Sequence, residues 1–130
     1  CTGTIMGTPE YMSPEQAMGK AVDARSDLYA LGIVVYELFT ARVPFHAETP
    51  VAVLFQQIRE PVRLDIEEAS GVPPALKPVL ARALAKEPAD RFASVYELGE
   101  AITRASQAKG TTDRTDVIRL RTDRVRPRTD

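Results

Sequence analysis

The side chains that could take part in chemistry gather near the start of the chain, in the stretch GTPEYMSPEQ at residues 7–16. This stretch offers the hydroxyl of Thr8, between a glycine and a proline, and the carboxylate of Glu15, within Ser-Pro-Glu-Gln. Each has a plain structural interpretation in isolation, because Gly-Thr-Pro is typical of a turn and Ser-Pro-Glu-Gln of a helix start. Cys1 and His46 are the only cysteine and histidine, so they cannot assemble a Cys/His zinc site. Any reaction at residues 7–16 therefore needs groups from outside this stretch.

The composition indicates one globular domain or a piece of a larger one. The chain has 130 residues, of which 44% are hydrophobic, and this is enough for a real core. The longest uncharged stretch in the most apolar region, residues 28–36, is far shorter than the roughly 20 residues that cross a bilayer. We therefore expect no membrane segment in this chain and a cytoplasmic protein, although its parent could be membrane-anchored. The chain does not begin with methionine, and we expect a fragment.

One long helix should form the centre of the fold. The segment SDLYALGIVVYELFTARVPF starts at Ser26, which we interpret as the N-cap, with Asp27 in the first turn. Apolar side chains then occupy almost the whole circumference, which predicts a buried helix. Pro44 should end it.

Four other helices are indicated by cap residues or by apolar spacing, and no strand is convincing. One should run from Ser13 and Pro14 to about Gly19, and another should begin at Thr49-Pro50. After loop-like residues 60–73, a helix should run from Pro74 until Pro88 closes it. Ser94 with Glu97 forms a capping box for the last helix.

The end of the chain has a different composition. Residues 1–103 carry a net charge of −5 and residues 104–130 a net charge of +4. Residues 115–128 repeat TDVIRLR as TDRVRPR, and we interpret residues 106–130 as a basic, disordered tail or linker. Arg-x-Arg-Thr occurs at Thr122 and Thr129 and resembles a basophilic phosphorylation site. Thr115 and Thr122 have Ile118 and Val125 three residues on, a spacing that some phosphothreonine-binding domains accept. A solvated linker is the favoured interpretation, and the interspersed aspartates argue against nucleic-acid binding.

Three segments together resemble the C-terminal lobe of a eukaryotic-type serine/threonine protein kinase, of the kind also found in bacteria. GTIMGTPEYMSPEQ resembles the end of the activation loop, the substrate-facing P+1 loop and the Ala-Pro-Glu motif, with Ser13 in place of alanine. SDLYALGIVVYEL resembles the start of the F helix, and ALKPVLARALAKEPADRF resembles the H helix with the arginine segment that follows. The resemblance implies a mainly α fold in residues 1–105, a kinase C-terminal lobe that lacks the N-terminal lobe and the catalytic loop.

The resemblance also implies roles for single residues. The GTPEY segment, defined here as residues 7–11, would contact the substrate through Gly7, Thr8, Pro9, Glu10 and Tyr11. The Thr8 hydroxyl would lie beside the catalytic Asp and Lys and help to position the substrate hydroxyl.

Further roles concern structure and modification. Glu15 would form a buried, bidentate ion pair with Arg91. Asp27 would accept hydrogen bonds from the backbone of the catalytic loop. Thr2 and Thr4 match activation-loop positions that are phosphorylated in such kinases, although an unmodified loop hydroxyl is an equally good interpretation.

The kinase motifs that hold ATP and Mg²⁺ do not occur in this sequence, which contains no GxGxxG, His-Arg-Asp or Asp-Phe-Gly. We therefore expect a parent kinase that transfers the γ-phosphoryl group of ATP to Ser or Thr of proteins. This chain would bind neither ATP nor metal, would be inactive alone, and would have protein substrates and the missing N-terminal part of the same kinase as partners. Two alternatives are a non-catalytic helical interaction module, such as a pseudokinase or kinase remnant, and an unrelated helical regulatory domain with a basic arm.

Overall fold

The computed structural model describes residues 8–107, and within this range the chain forms helices and no strand. The α-helices are α1 (Pro14–Ala17), α2 (Ala24–Thr40), α3 (Pro50–Arg59), α4 (Lys77–Ala83) and α5 (residues 95–107). Short 3-10 turns lie before α1 at Pro9–Tyr11 and between the later helices at Glu67–Ala69, Pro74–Leu76 and Pro88–Asp90. The predicted mainly α fold is confirmed for this part of the chain.

Helix α2 begins and ends at residues other than those predicted. Asp23 is its N-cap, and the Asp23 side chain accepts a hydrogen bond from the backbone N–H of Arg25. The prediction of Ser26 as N-cap is wrong, because Ser26 lies inside the helix and is buried. The prediction that Pro44 ends the helix is also wrong, since Ala41 already adopts the left-handed conformation, with φ of 64°.

Helix α2 is central but only partly buried. Leu28, Tyr29 and Ile33 are fully enclosed, whereas Leu38 is 76% exposed and Val34 is 39% exposed. The prediction of a helix buried all round is therefore wrong. Within residues 8–107, the other elements cover one side of α2 and leave an apolar stripe on the opposite side open.

The predicted N-terminal caps of α1 and α3 are present. Ser13 and Gln16 form a reciprocal capping box at α1, with N···O distances of 2.9 and 3.1 Å. The Thr49 hydroxyl accepts a hydrogen bond from the N–H of Ala52 at the start of α3, where Pro50 is the first helical residue.

The two helices nearest the C-terminus differ in detail from expectation. Pro74–Leu76 forms a 3-10 turn, so α4 begins only at Lys77, and it ends at Ala83, ahead of Pro88. The prediction of one helix from Pro74 to Pro88 is wrong, because the backbone has left the α-helical conformation at Leu84. At α5, Ser94 caps the N–H of Glu97, but the Glu97 carboxylate accepts from Ala93 instead of Ser94.

The core lies where α2 packs against α4 and the segments around it. Its buried side chains form three clusters: Tyr36, Ala69, Val72, Leu76 and Leu80; Leu28, Ala83, Phe92 and Leu98; and Tyr29, Ile33 and Leu84. Gly32 permits this close packing, since an added Cβ would lie 2.9 Å from Leu84 Cδ2. No helix in residues 8–107 is long and apolar enough to pass through a bilayer.

Candidate functional site

Glu15 and Arg91 form a buried, bidentate ion pair across 76 positions of sequence. The two guanidinium nitrogens Nη1 and Nη2 donate to Glu15 Oε2 and Oε1 at 2.7 and 2.8 Å. Glu15 reaches this position because it lies in the first turn of α1, and Arg91 because the Pro88–Asp90 turn ends directly before it. The pair therefore joins the segment after GTPEY to the far end of the helical lobe.

The surroundings of Arg91 satisfy every N–H of its guanidinium. Besides the two bonds to Glu15, it donates to the carbonyl oxygens of Arg25, Ala85 and Lys86 at 2.7 to 3.0 Å. Arg91 is 2% exposed, and its guanidinium carbon lies 5.0 Å from the centre of the Tyr29 ring. A lysine could not make this set of contacts, because it lacks the planar arrangement of five donors.

Two serines complete the environment of the Glu15 carboxylate. Ser26 donates to Glu15 Oε2 at 2.5 Å, and Ser13 donates to the Ser26 hydroxyl at 3.2 Å. Burial raises the pKa of Glu15, but the hydrogen bonds from Arg91 and Ser26 outweigh burial and hold that pKa at about 2. Glu15 is therefore a permanently charged structural group and no proton donor near neutral pH.

The described part of the GTPEY segment forms a partly exposed turn against α2. Thr8 is exposed, and its hydroxyl does not cap the Pro9–Tyr11 turn that follows. The Tyr11 hydroxyl donates to the Glu37 carboxylate of α2, and this hydrogen bond raises the pKa of Tyr11. The turn is thus fixed through Tyr11, and the Thr8 side chain is left facing solvent.

A second buried network also fixes this turn, and sequence reasoning missed it. Gln57 of α3 is 0% exposed, and its amide nitrogen donates to the carbonyl oxygens of Pro9 and Glu10 at 3.1 and 3.0 Å. The Tyr29 hydroxyl donates to Gln57 Oε1 at 2.5 Å. The only signal in the sequence was that Gln57 follows the apolar Val53 by four residues and so lies on the same helix face.

Lys86 lies at the far end of this network. Its ammonium donates to the Tyr29 hydroxyl at 3.2 Å and to the Gln56 carbonyl at 3.3 Å, and it lies 4.4 Å from the centre of the Phe45 ring. Burial lowers the pKa of Lys86 to about 8, with a further contribution from the charge of Arg91.

The remaining predicted site residues are not brought into these networks. The Asp27 side chain lies on the exposed side of α2 and forms no hydrogen bond with any residue from 8 to 107. Gly7, Thr2 and Thr4 lie outside the described residues, as do the tail threonines Thr115, Thr122 and Thr129. Residues 8–107 bring together no group of three or more His, Cys, Asp or Glu side chains that could hold a metal ion.

Comparison with known proteins identifies the family to which this chain belongs. Residues 2–104 match the family described as the protein kinase domain. The chain belongs to the protein kinase family. Members of this family use ATP and Mg²⁺.

Several bacterial members of the family are similar in sequence. Serine/threonine-protein kinase PksC of Streptomyces coelicolor is 42% identical over 81% of this chain and 19% of its own length. PknB of Mycolicibacterium smegmatis is 41% identical over 83% of this chain and 17% of its own length. Pkn1 of Myxococcus xanthus is 46% identical over 77% of this chain and 14% of its own length. The chain thus spans less than a fifth of these relatives.

A solved structure shows the same fold. The twitchin kinase region from C. elegans superimposes with a TM-score of 0.64 at 25% identity, covering 70% of this chain and 16% of that chain. The helical arrangement of residues 8–107 is therefore that of a helical kinase lobe, as the sequence predicted.

Proposed function

We propose that this chain supplies the substrate-facing half of a serine/threonine protein kinase, which transfers the γ-phosphoryl group of ATP to Ser or Thr of proteins. The observation that carries this proposal is the buried Glu15–Arg91 pair, which ties the segment next to GTPEY to the helical lobe through two short hydrogen bonds. Family membership and the names of the bacterial relatives support the same reaction.

In this proposal the GTPEY segment receives the residues of the substrate next to the phosphorylated hydroxyl. The Thr8 side chain is exposed and does not cap its own turn, so its hydroxyl can contact a substrate or a catalytic side chain. Glu37 of α2, through the Tyr11 hydroxyl, and Gln57 of α3 hold the turn from two helices, which gives Thr8 a defined place. Such prior positioning contributes to the rate because the substrate hydroxyl must be aligned with the phosphoryl group before transfer. ATP and Mg²⁺ would be held by the part of the kinase that precedes this chain.

The open side of α2 indicates where another part of the kinase would bind. Asp27, Val34 and Leu38 follow one another at spacings of seven and four residues, which puts them on one face of the helix. All three are exposed, and the apolar pair Val34 and Leu38, one helical turn apart beside the charged Asp27, is consistent with an interface on this face. We infer that the N-terminal part of the same kinase covers this stripe and accepts Asp27 as an anchor.

The experiment is a transfer assay with the complete protein that contains this chain. Incubated with radioactive ATP, Mg²⁺ and a general protein substrate, it should yield phosphoserine or phosphothreonine and no phosphotyrosine after acid hydrolysis. Failure to transfer phosphate would favour the alternative, a non-catalytic helical module. Phosphotyrosine as the main product would contradict the assignment of the acceptor.

A further inference from the structure

We propose that Gln57 is a positioning residue that fixes the GTPEY segment for the substrate, with Tyr29 fixing Gln57 in turn. The inference rests on the proposed function, because it assigns to Gln57 an effect on substrate use. Its geometrical basis is one side chain that donates to two consecutive backbone carbonyls, those of Pro9 and Glu10.

The chemistry of Gln57 indicates that its hydrogen bonds, and not its packing, are the reason for a glutamine. The side chain is completely buried, and burial of an amide is unfavourable unless its polar atoms are paired. A methionine would fill similar space on the α3 face that carries Val53 without that cost. Gln57 instead has both amide hydrogens and its oxygen engaged.

Tyr29 determines which way the Gln57 amide points. Its hydroxyl donates to Gln57 Oε1 at 2.5 Å and accepts from the Lys86 ammonium at 3.2 Å. Because the Gln57 oxygen is taken by a donor, the amide nitrogen must face the two carbonyls of the turn. The network therefore connects α2, α3 and the segment after α4 to one short stretch of backbone.

The two carbonyls directly follow Thr8 in sequence. Loss of the donors at Gln57 would leave these carbonyls without these partners and would let the turn move relative to α3, so that the hydrogen bond from Tyr11 to Glu37 of α2 remains as its other attachment. We expect such movement to change which residue is accepted next to the phosphorylated Ser or Thr. The handling of ATP should not change, because the side-chain hydrogen bonds of Gln57 go to the turn and to Tyr29, and the groups proposed to hold nucleotide are not in this chain.

The experiment compares Gln57→Met with Gln56→Met in the complete protein. The two positions are adjacent on α3, but of these two side chains only that of Gln57 donates hydrogen bonds to the turn. Gln57→Met should raise KM for a peptide substrate about tenfold and weaken the preference for the residue after the acceptor, with KM for ATP within about twofold of the unmodified protein. Gln56→Met should leave both unchanged. An unchanged peptide preference in Gln57→Met, or an equal effect in the two variants, would overturn the proposal.

Hydrogen–deuterium exchange and a second variant, Tyr29→Phe, test the role of Gln57 independently of the Gln57→Met kinetics. Hydrogen–deuterium exchange of residues 8–12 needs no phosphoryl transfer, and it should be faster in Gln57→Met than in Gln56→Met because the Tyr11 and Met12 amides hydrogen-bond within this turn. If Gln57→Met folds poorly, Tyr29→Phe removes only the hydroxyl that orients Gln57 and should show the same changes at smaller size. Unchanged exchange would overturn the role of Gln57, whereas absence of transfer by the unmodified protein would count against the proposed function alone.

Discussion

At the scale of single residues, loss of the Glu15–Arg91 pair should lower the free energy of unfolding most. Arg91→Met would leave the Glu15 carboxylate buried without its partner, and such a change costs on the order of 3–5 kcal/mol. The double variant with Glu15→Gln should recover part of this loss, because no uncompensated charge remains. Thermal or urea unfolding of the kinase domain that contains this chain measures the loss in Arg91→Met and the recovery in the double variant.

The same chain offers a matched control for that prediction. Arg104 and Glu100 on α5 form an exposed pair at 3.8 Å. Arg104→Met should change the free energy of unfolding by no more than about 1 kcal/mol, since exposed pairs contribute little. Equal effects of Arg91→Met and Arg104→Met would contradict the account of the buried pair.

The pKa of Glu15 predicts a loss of stability in acid. In the folded protein it is about 2, below its ordinary value of 4.5, so the unfolded chain binds the proton more tightly. The stabilisation is complete above pH 4.5 and is lost as the pH falls from 4.5 towards 2. Glu15→Gln should remove this part of the pH dependence, which is measured as the difference between the two unfolding midpoints across that range. A difference between the two midpoints that stays constant across this pH range would contradict the prediction.

Lys86 predicts a second pH interval, at alkaline pH, in which stability again increases as the pH rises. Burial lowers its pKa to about 8 from an ordinary value of 10.5, so the unfolded chain holds more protons between these values. Folding should therefore gain stability from Lys86 as the pH rises from about 8 to 10.5. The stability of the unmodified protein relative to Lys86→Met should increase over this interval, and a decrease would show that Lys86 is not held in this buried site.

Single residues also show which contacts could be predicted from the sequence and which could not. The contact between Glu15 and Arg91 was expected only from a family resemblance, because nothing in the local pattern relates positions 76 residues apart. Gln57 was missed because a glutamine on an apolar helix face has no sequence signature until its partners, two backbone carbonyls, are known. Ser26 was misassigned because a serine before an apolar run is typical of an N-cap. In this structure its hydroxyl instead donates a hydrogen bond to the Glu15 carboxylate.

At the scale of elements, the starts of α1 and α3 were predictable, whereas the starts of α2 and α4 and the ends of both were not. Thr49-Pro50 begins α3 as predicted because the cap hydroxyl and the proline act within one turn. The end of α2 depends on Ala41 in a left-handed conformation, which alanine rarely adopts and which no sequence pattern signals. Tertiary contacts at this end of α2 therefore determine where the helix stops.

One such contact yields a test at this scale. Gly71 lies so close to the end of α2 that an added Cβ would be 2.2 Å from the carbonyl oxygen of Phe39. Gly71→Ala should therefore destabilise the protein by about 1–3 kcal/mol or more, because backbone must move. Gly99→Ala in α5 is the control: its Cβ would meet nothing within 4 Å, and it should be neutral or stabilise by up to about 1 kcal/mol. Equal melting temperatures for the two variants would contradict the packing described here.

At the scale of the whole molecule, the open side of α2 is the feature that one sequence could not predict. Apolar residues all round a helix indicated burial, yet the cover for Val34 and Leu38 is not formed by residues 8–107. In the complete kinase, Val34→Gln should lower the melting temperature clearly, whereas Val95→Gln, at a valine of similar exposure, should have little effect. Equal small effects would show that nothing covers α2.

The central claim is that residues 8–11 face the protein substrate of a serine/threonine kinase, and one measurement tests it most directly. The complete protein and its Thr8→Val variant are assayed for transfer of phosphate from ATP to a Ser- or Thr-containing peptide. Thr103→Val is the control, since the Thr103 hydroxyl only bonds the Gly99 carbonyl within α5. The account predicts transfer by the unmodified protein and by Thr103→Val, with a loss of at least about tenfold in Thr8→Val. Full transfer by Thr8→Val would contradict it.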